Sequence, residues 1–211
     1  MSEQLPVPSK ETAAQSSGRD SQRVIMLSAL VYVVLMLGGL GLMYSRNSDL
    51  ATLGSYFLPP KAWPRSLELA FLATGIIVIS SFLLESYSRQ YRLIKRMMLA
   101  IFGPLSVPTL LFLAVLSGIA EELLFRGGIQ PYLGLVPAAI LFGLVHLGPV
   151  GTFSIWTFWA MGAGFIFGAI YEAQQNLFAV ILAHIMVNII GFLTLKAQFR
   201  REKKIAAERR I

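Results

Sequence analysis

A chain of 211 residues with 55% hydrophobic content, 14% charged residues and a mean hydropathy of +0.66 lies outside the range of soluble globular proteins and reads as a polytopic membrane protein. Its formal charge of +7 and pI near 9.9 do not indicate nucleic acid as a partner, because Lys and Arg cluster between and after apolar stretches, as orientation in a lipid bilayer requires. The absence of cysteine excludes disulfides, thiolate catalysis and Cys-based metal sites.

Residues 1–23 are polar, rich in Ser, Gln and Pro and without apolar periodicity, which predicts a disordered tail rather than a signal peptide. A first span is expected over residues 24–44. It is too long for a signal-peptide apolar region and no cleavage signal follows it, so it stays in the membrane. Its Gly38, Gly39 and Gly41 offer close helix contact. Residues 45–65 hold Pro59, Pro60, Trp63 and Pro64, as an irregular interfacial loop with an aromatic anchor would. A second span covers residues 67–84. The segment 85–96 carries Arg89, Arg92, Lys95 and Arg96, which the positive-inside rule places in the cytoplasm. Residues 97–102 are either an interfacial helix or the start of the third span, since Gly103, Pro104 and Pro108 interrupt the pattern.

The third span carries Glu121-Glu122-Leu123-Leu124-Phe125-Arg126-Gly127-Gly128. Glu121 lies on the order of 20 Å along a helix from Pro108, well inside a ~30 Å hydrocarbon core. Further spans are expected over residues 129–147, 152–171 and 177–195, the fifth with Ala160, Gly164 and Gly168 as a packing stripe every four residues. The fold class is therefore all-α, a polytopic transmembrane helix bundle of about six spans with a polar site in a cavity between spans three, four and six. Four regions follow: a polar tail (1–23), N-terminal spans with a basic loop (24–106), a core (107–195) and a basic tail (196–211). Of the 18 Lys and Arg residues, 14 fall in the two tails and the second loop, which predicts a multi-pass protein with both termini cytoplasmic. Nothing in the sequence sets an oligomeric state.

Ionisable residues inside a span mark function by default. Glu122 and Arg126, four apart, share a helix face and can pair, while Glu121 points about 100° away and is left for chemistry. An ion pair that only fixes packing would explain Glu122 and Arg126 but not Glu121. Two histidines are present, His146 and His184. Either alone suits a hydrogen-bonded packing role, but Phe142 with His146 and His184 with Asn188 are each spaced by four, so each helix can present its polar group to one cavity. Glu68 and Glu172 sit near span ends and read as boundary residues; Trp63, Trp156 and Trp159 read as interface or packing groups.

Taken in order, Glu121-Glu122-x-x-x-Arg126, Phe142-x-x-x-His146 and His184-x-x-x-Asn188 resemble the three motifs of the CAAX protease and bacteriocin-processing family, also called the abortive infection family, over residues 107–192. The resemblance implies a glutamate-type intramembrane endopeptidase in which Glu121 and His146 activate a water, Glu122 and Arg126 support the site, and His184 with Asn188 stabilise the oxyanion. It also implies a peptide or membrane-protein substrate within the bilayer and no cofactor. Zinc is the alternative, since Glu and His can bind it, but the histidines lie on different spans rather than paired on one helix. The competing classes are a noncatalytic immunity or assembly factor on the same fold and a proton-coupled carrier. A carrier would be expected to show repeated halves, which this sequence lacks.

Overall fold

A computed structural model of the chain describes residues 10–47, 54–58, 63–146 and 154–209, and the elements among them are all helical. They are α1 (Lys10–Asn47), α2 (Trp63–Tyr87), α3 (Arg89–Phe102) and α4 (Val107–Glu122). A π-helical turn, Leu123–Ile129, carries α4 into the short α5 (Gln130–Leu133), and α6 (Leu135–Val145), α7 (Ile155–Gln174) and α8 (Phe178–Glu208) follow.

The helix boundaries follow from local chemistry. Ser88, Ser106 and Ser154 cap α3, α4 and α7, their hydroxyls accepting from the backbone N–H of Tyr91, Thr109 and Thr157 at 3.1, 3.3 and 3.3 Å, which satisfies donors that a helix start leaves open. Pro108 sits in the first turn of α4, where its missing N–H costs nothing. Gly134 separates α5 from α6 at φ +84°, a conformation that L side chains rarely adopt. The described part of the first loop is pinned to the α7–α8 connection. Asn176 Nδ2 donates to the carbonyls of Ser55 and Leu58 at 2.9 and 3.1 Å, and Leu177 N to that of Tyr56 at 2.9 Å.

Among the described residues, four helices are long and apolar enough to cross a membrane: Gln22–Arg46, Trp63–Tyr87, Val107–Leu133 and Phe178–Glu208. Their outer faces carry exposed Leu27, Leu30, Val34, Leu72, Ile79 and Phe112, as lipid contact requires. The expected fourth span is an 11-residue helix, α6, which reaches only ~16 Å. The expected fifth, α7, has 20 residues but is not among the four, because Glu172 near its end, with Trp, Tyr, Thr and Gly, lowers its hydropathy. One further expectation is corrected, and two are made definite. The chain is helical from Lys10 rather than disordered to residue 23, since Lys10 to Gln15 extend a helix already nucleated by the span; residues 1–9 lie outside the described residues. Residues 97–102 belong to the amphipathic α3, ended by Gly103 before α4 begins. The basic tail continues α8 to Glu208, and its first lysine, Lys196, donates to the carbonyls of Gly103 and Leu105 at 2.8 and 2.6 Å.

Small residues bring the helices together. Ala160 is buried, a Cβ on Gly164 would lie 3.3 Å from the Ala139 backbone, and Gly168 accepts from Gln130 Nε2 at 3.0 Å, so the stripe of small residues on α7 seats α5 and α6. Of Gly38, Gly39 and Gly41 on α1, Gly39 is the one pressed on the π-helical turn. A Cβ there would stand 2.6 Å from Leu123 C and 2.7 Å from Leu123 O and Leu124 N, whereas a Cβ on Gly41 would meet nothing within 4 Å. Gly39→Ala should therefore destabilise the protein by about 1–3 kcal/mol, while Gly41→Ala should be neutral or gain up to about 1 kcal/mol of helix propensity. Thermal unfolding of both variants in one detergent checks this; equal losses would show that α1 does not dock through Gly39.

Candidate active site

The acidic pair on α4 divides into two environments. Glu122 is fully buried, and its Oε1 accepts from Arg126 Nη1 at 2.9 Å and from His184 Nδ1 at 2.6 Å. The Arg126 guanidinium, itself 1% exposed, donates through Nη2 to the Gly164 carbonyl at 2.8 Å and lies over the rings of Phe142 and Phe167, 4.5 and 5.4 Å from their centroids. A buried charge is thus met by a carboxylate, a carbonyl dipole and two aromatic faces. The π-helical turn that carries Arg126 has Gly127 and Gly128 beside Met43 and Leu42 of α1. Such turns inside α-helices recur at functional sites.

Glu121 faces the other way. Its Oε2 is buried and makes no hydrogen bond with the protein, yet His146 Nε2 stands 3.3 Å and His184 Nε2 3.9 Å from it. The 3.3 Å separation is within reach of a hydrogen bond but not aligned as one. His146 terminates α6, and its Nδ1 lies 2.6 Å from the Phe142 carbonyl oxygen. A carbonyl can only accept, so the proton sits on Nδ1 and Nε2 is turned to Glu121. His184 is fixed in the same sense, with Nδ1 on the Glu122 carboxylate and its ring stacked on Phe167 at 5.0 Å and 23°. Two imidazoles from two helices therefore aim Nε2 at one carboxylate oxygen.

Asn188 lies one turn beyond His184 on α8, and its Nδ2 donates to Ser117 Oγ at 2.9 Å. Glu121, His146, His184 and Asn188 line one cavity of about 250 Å³. The helices expected to contribute are joined there by α1, through Tyr32, and by α2, α3 and α7. Trp156 and Trp159 stack at 4.9 Å and also line the cavity, a position that their reading as packing groups did not include.

The six polar motif residues lie together, and His184 and Asn188 both line the cavity while each is engaged by a different neighbour. The His184 Nδ1 is engaged by Glu122, and Asn188 is engaged by Ser117. The motifs give no hint of Ser117, Tyr32, Phe167 or the Gly164 carbonyl. Ser117 is four residues before Glu121 and could have been found from that spacing. A backbone carbonyl on another helix carries no sequence signal.

Removing the guanidinium strands a wholly buried carboxylate. Arg126→Ala should cost about 3–5 kcal/mol of stability, and adding Glu122→Gln should restore part of it because the stranded charge is gone. Unfolding of the single and double variants in detergent reads this directly; an Arg126→Ala protein as stable as the parent would show that the pair carries no such weight.

Part of the chain is similar to known proteins. Residues 103–190 match the family described as Type II CAAX prenyl endopeptidase Rce1-like. A protein of Bacillus subtilis (strain 168) described only as "Uncharacterized protein YpbD" is 32% identical over 106 residues, 49% of this chain and 54% of that protein, so the chain spans about half the length of the curated relative it matches. No solved structure matches the chain. The matched segment contains all three motifs and both histidines that meet at Glu121, so what residues 103–190 show is a similarity to the type II CAAX prenyl endopeptidase Rce1-like family.

Proposed function

We propose that the protein is an intramembrane endopeptidase in which Glu121 and His146 activate a water against a peptide carbonyl. One observation carries the reading. A buried carboxylate oxygen without a protein hydrogen bond faces two imidazole Nε2 atoms at 3.3 and 3.9 Å inside a cavity that also holds a carboxamide. A base needs this combination of reach and freedom; Glu122 also keeps one buried oxygen without a hydrogen bond, but its other oxygen is held by Arg126 and His184, whereas Glu121 lines the cavity.

In the proposed reaction Glu121 takes a proton from water as the oxygen attacks the carbonyl carbon, with His146 Nε2 orienting the water. The carbonyl oxygen becomes an oxyanion stabilised by the neutral Asn188 amide. The intermediate collapses as the C–N bond breaks, and the proton held at Glu121 and His146 passes to the leaving amine. Glu122 and Arg126 hold His184 and the helix frame without touching the reacting atoms. The cavity reaching Glu121 is walled by Ile77, Phe82, Phe102, Trp156 and Phe192, which suits an apolar peptide segment from a membrane-associated protein. The mechanism proposed uses no metal. Among the described residues no group of three or more His, Cys, Asp or Glu has a metal-holding arrangement.

Glu121→Gln keeps the size of the side chain and removes the base, so single-turnover cleavage of a peptide should fall to background while the substrate still binds. His146→Ala should behave alike, and the double variant should be little worse, since residues that act as one unit are not additive. Asn188→Ala should lose about 10²- to 10³-fold and keep slow cleavage. Parent enzyme should retain its rate after strong chelation; loss with recovery on added zinc would reverse the metal-free mechanism. Near-parent cleavage by Glu121→Gln would remove the base and favour the noncatalytic role.

We further propose that both termini and α3 face the cytoplasm. Four crossings return the chain to its starting side, and α6 with α7 add none or two, so the parity is unchanged. Basic residues in α3 and at the end of α8 fit that side, and Lys196 ties the two regions together. Reporter fusions after Arg210 and within α3 should both read cytoplasm; opposite readings from the two would break the four-crossing topology.

A further inference from the structure

α3 has 14 residues, about 21 Å at the rise of an α-helix, which is too short to cross a bilayer, and it joins two of the spans. Its inner face supplies Tyr91, Lys95, Met98 and Phe102 to the wall of the site cavity, and Tyr91, Ile94 and Leu99 are buried. The face turned away from the bundle has two edges. Arg89, Arg92 and Arg96 are exposed and fall within about 60° of arc. Beside them on the same outer face lie Leu93 and Ile101, 47% and 50% exposed. We propose that this face is a dock for the headgroups of anionic phospholipids, with Arg89 and Arg96 taking the phosphates.

The two edges together select the partner. A basic arc alone would suit any polyanion in water, but a soluble anion would leave the exposed Leu93 and Ile101 wet. A phospholipid meets both needs, its acyl chains covering the apolar edge while its phosphate lies against a guanidinium. The cations of α3 are not equally available. Arg92 Nη1 donates to the carbonyls of Glu85 and Ser86 at 2.9 and 3.0 Å and so closes the end of α2, and Lys95, on the inner face, is paired with Glu85. Arg89 and Arg96 have no ion pair or hydrogen bond among the described residues, which leaves each a planar fork of donors that matches two phosphate oxygens. They stand about two helical turns apart and line one groove with Gln90, Arg92 and Leu93. Gln90 Oε1 accepts from Ile155 N at 3.1 Å, so the face is fixed to the start of α7 and does not swing freely. Orientation by positive charge requires only cations on one side of the membrane. Two unspent arginines on a rigid helix beside an apolar edge form a surface of defined shape.

Headgroup binding does not depend on the site being catalytic, so it is read without a substrate. The full chain in a non-ionic detergent is titrated with dioleoyl phosphatidylglycerol or dioleoyl phosphatidylcholine, and bound lipid is counted by native mass spectrometry. The parent should prefer the anionic lipid. Arg89→Gln and Arg96→Gln should each weaken its binding about 5-fold, the weight of one basic residue near an anionic surface, and together they should remove the preference while thermal unfolding stays that of the parent. If the pair of substitutions folds poorly, the single variants carry the test. Lys203→Gln with Lys204→Gln removes the same charge from the exposed end of α8 and should leave the preference in place. Equal loss from that tail pair would assign the effect to overall charge and overturn the dock, as would a parent without preference or an Arg89→Gln, Arg96→Gln protein that keeps it. Glycerophosphoglycerol carries the same headgroup without acyl chains and should not displace phosphatidylglycerol at equal concentration; displacement would make the ligand a water-soluble anion and overturn the assignment to lipid.

Discussion

The guanidinium of Arg126 is the group that the bundle is built to bury. A charge inside a lipid-embedded bundle must find its partners in the protein, and those of Arg126 come from three directions: the Glu122 carboxylate, the Gly164 carbonyl and the faces of Phe142 and Phe167. Each partner constrains something else. A Cβ on Gly164 would lie 3.1 Å from Phe142 Cδ1, so the absence of a side chain there lets α7 approach closely enough for its carbonyl to serve. Phe142 in turn supplies the carbonyl that holds His146. The ion pair, the spacing of α6 and α7 and the orientation of an imidazole are therefore one connected arrangement.

That arrangement also separates two adjacent carboxylates. Glu122 is held through Oε1 by Arg126 and His184, while Glu121, one residue away on the helix and rotated by about 100°, lines the cavity and faces the two imidazole Nε2 atoms. Environments that give neighbouring acids different duties are a recurrent way to build acid–base sites. Here the division comes from helix geometry. His184 links the halves, since one ring nitrogen belongs to the Glu122 side and the other looks towards Glu121.

The N-terminal helices contribute more than anchorage. Gly39 receives the π-helical turn, Met43 lies against Gly127, and Tyr32 reaches the cavity from a helix otherwise turned to lipid. α3 adds Tyr91 and Lys95 to the cavity wall, with Lys95 paired to Glu85 and Tyr91 to Ser81 at 2.6 Å. These elements lie outside the matched segment.

Periodicity and the cost of polar groups in lipid are legible in a sequence. An apolar run of a given length and an i,i+4 spacing fix helices and faces within one element, so the all-helical membrane fold, the Glu122–Arg126 pair and the candidacy of Glu121, His146, His184 and Asn188 follow from pattern alone. The run of residues 129–147 is not legible as an 11-residue helix, because hydropathy does not register the Gly134 break or the site-facing end at His146. The partners across helices are hidden for a deeper reason. Gly164 O with Arg126, Ser117 with Asn188 and His184 with Glu122 are set by how helices rotate and close on one another, and that depends on glycines meeting backbones rather than on any local pattern. The order of residues along the chain dictates which polar groups must be hidden from lipid. Which of them each one meets is decided by tertiary packing, because packing alone brings donors and acceptors from different helices within about 3 Å.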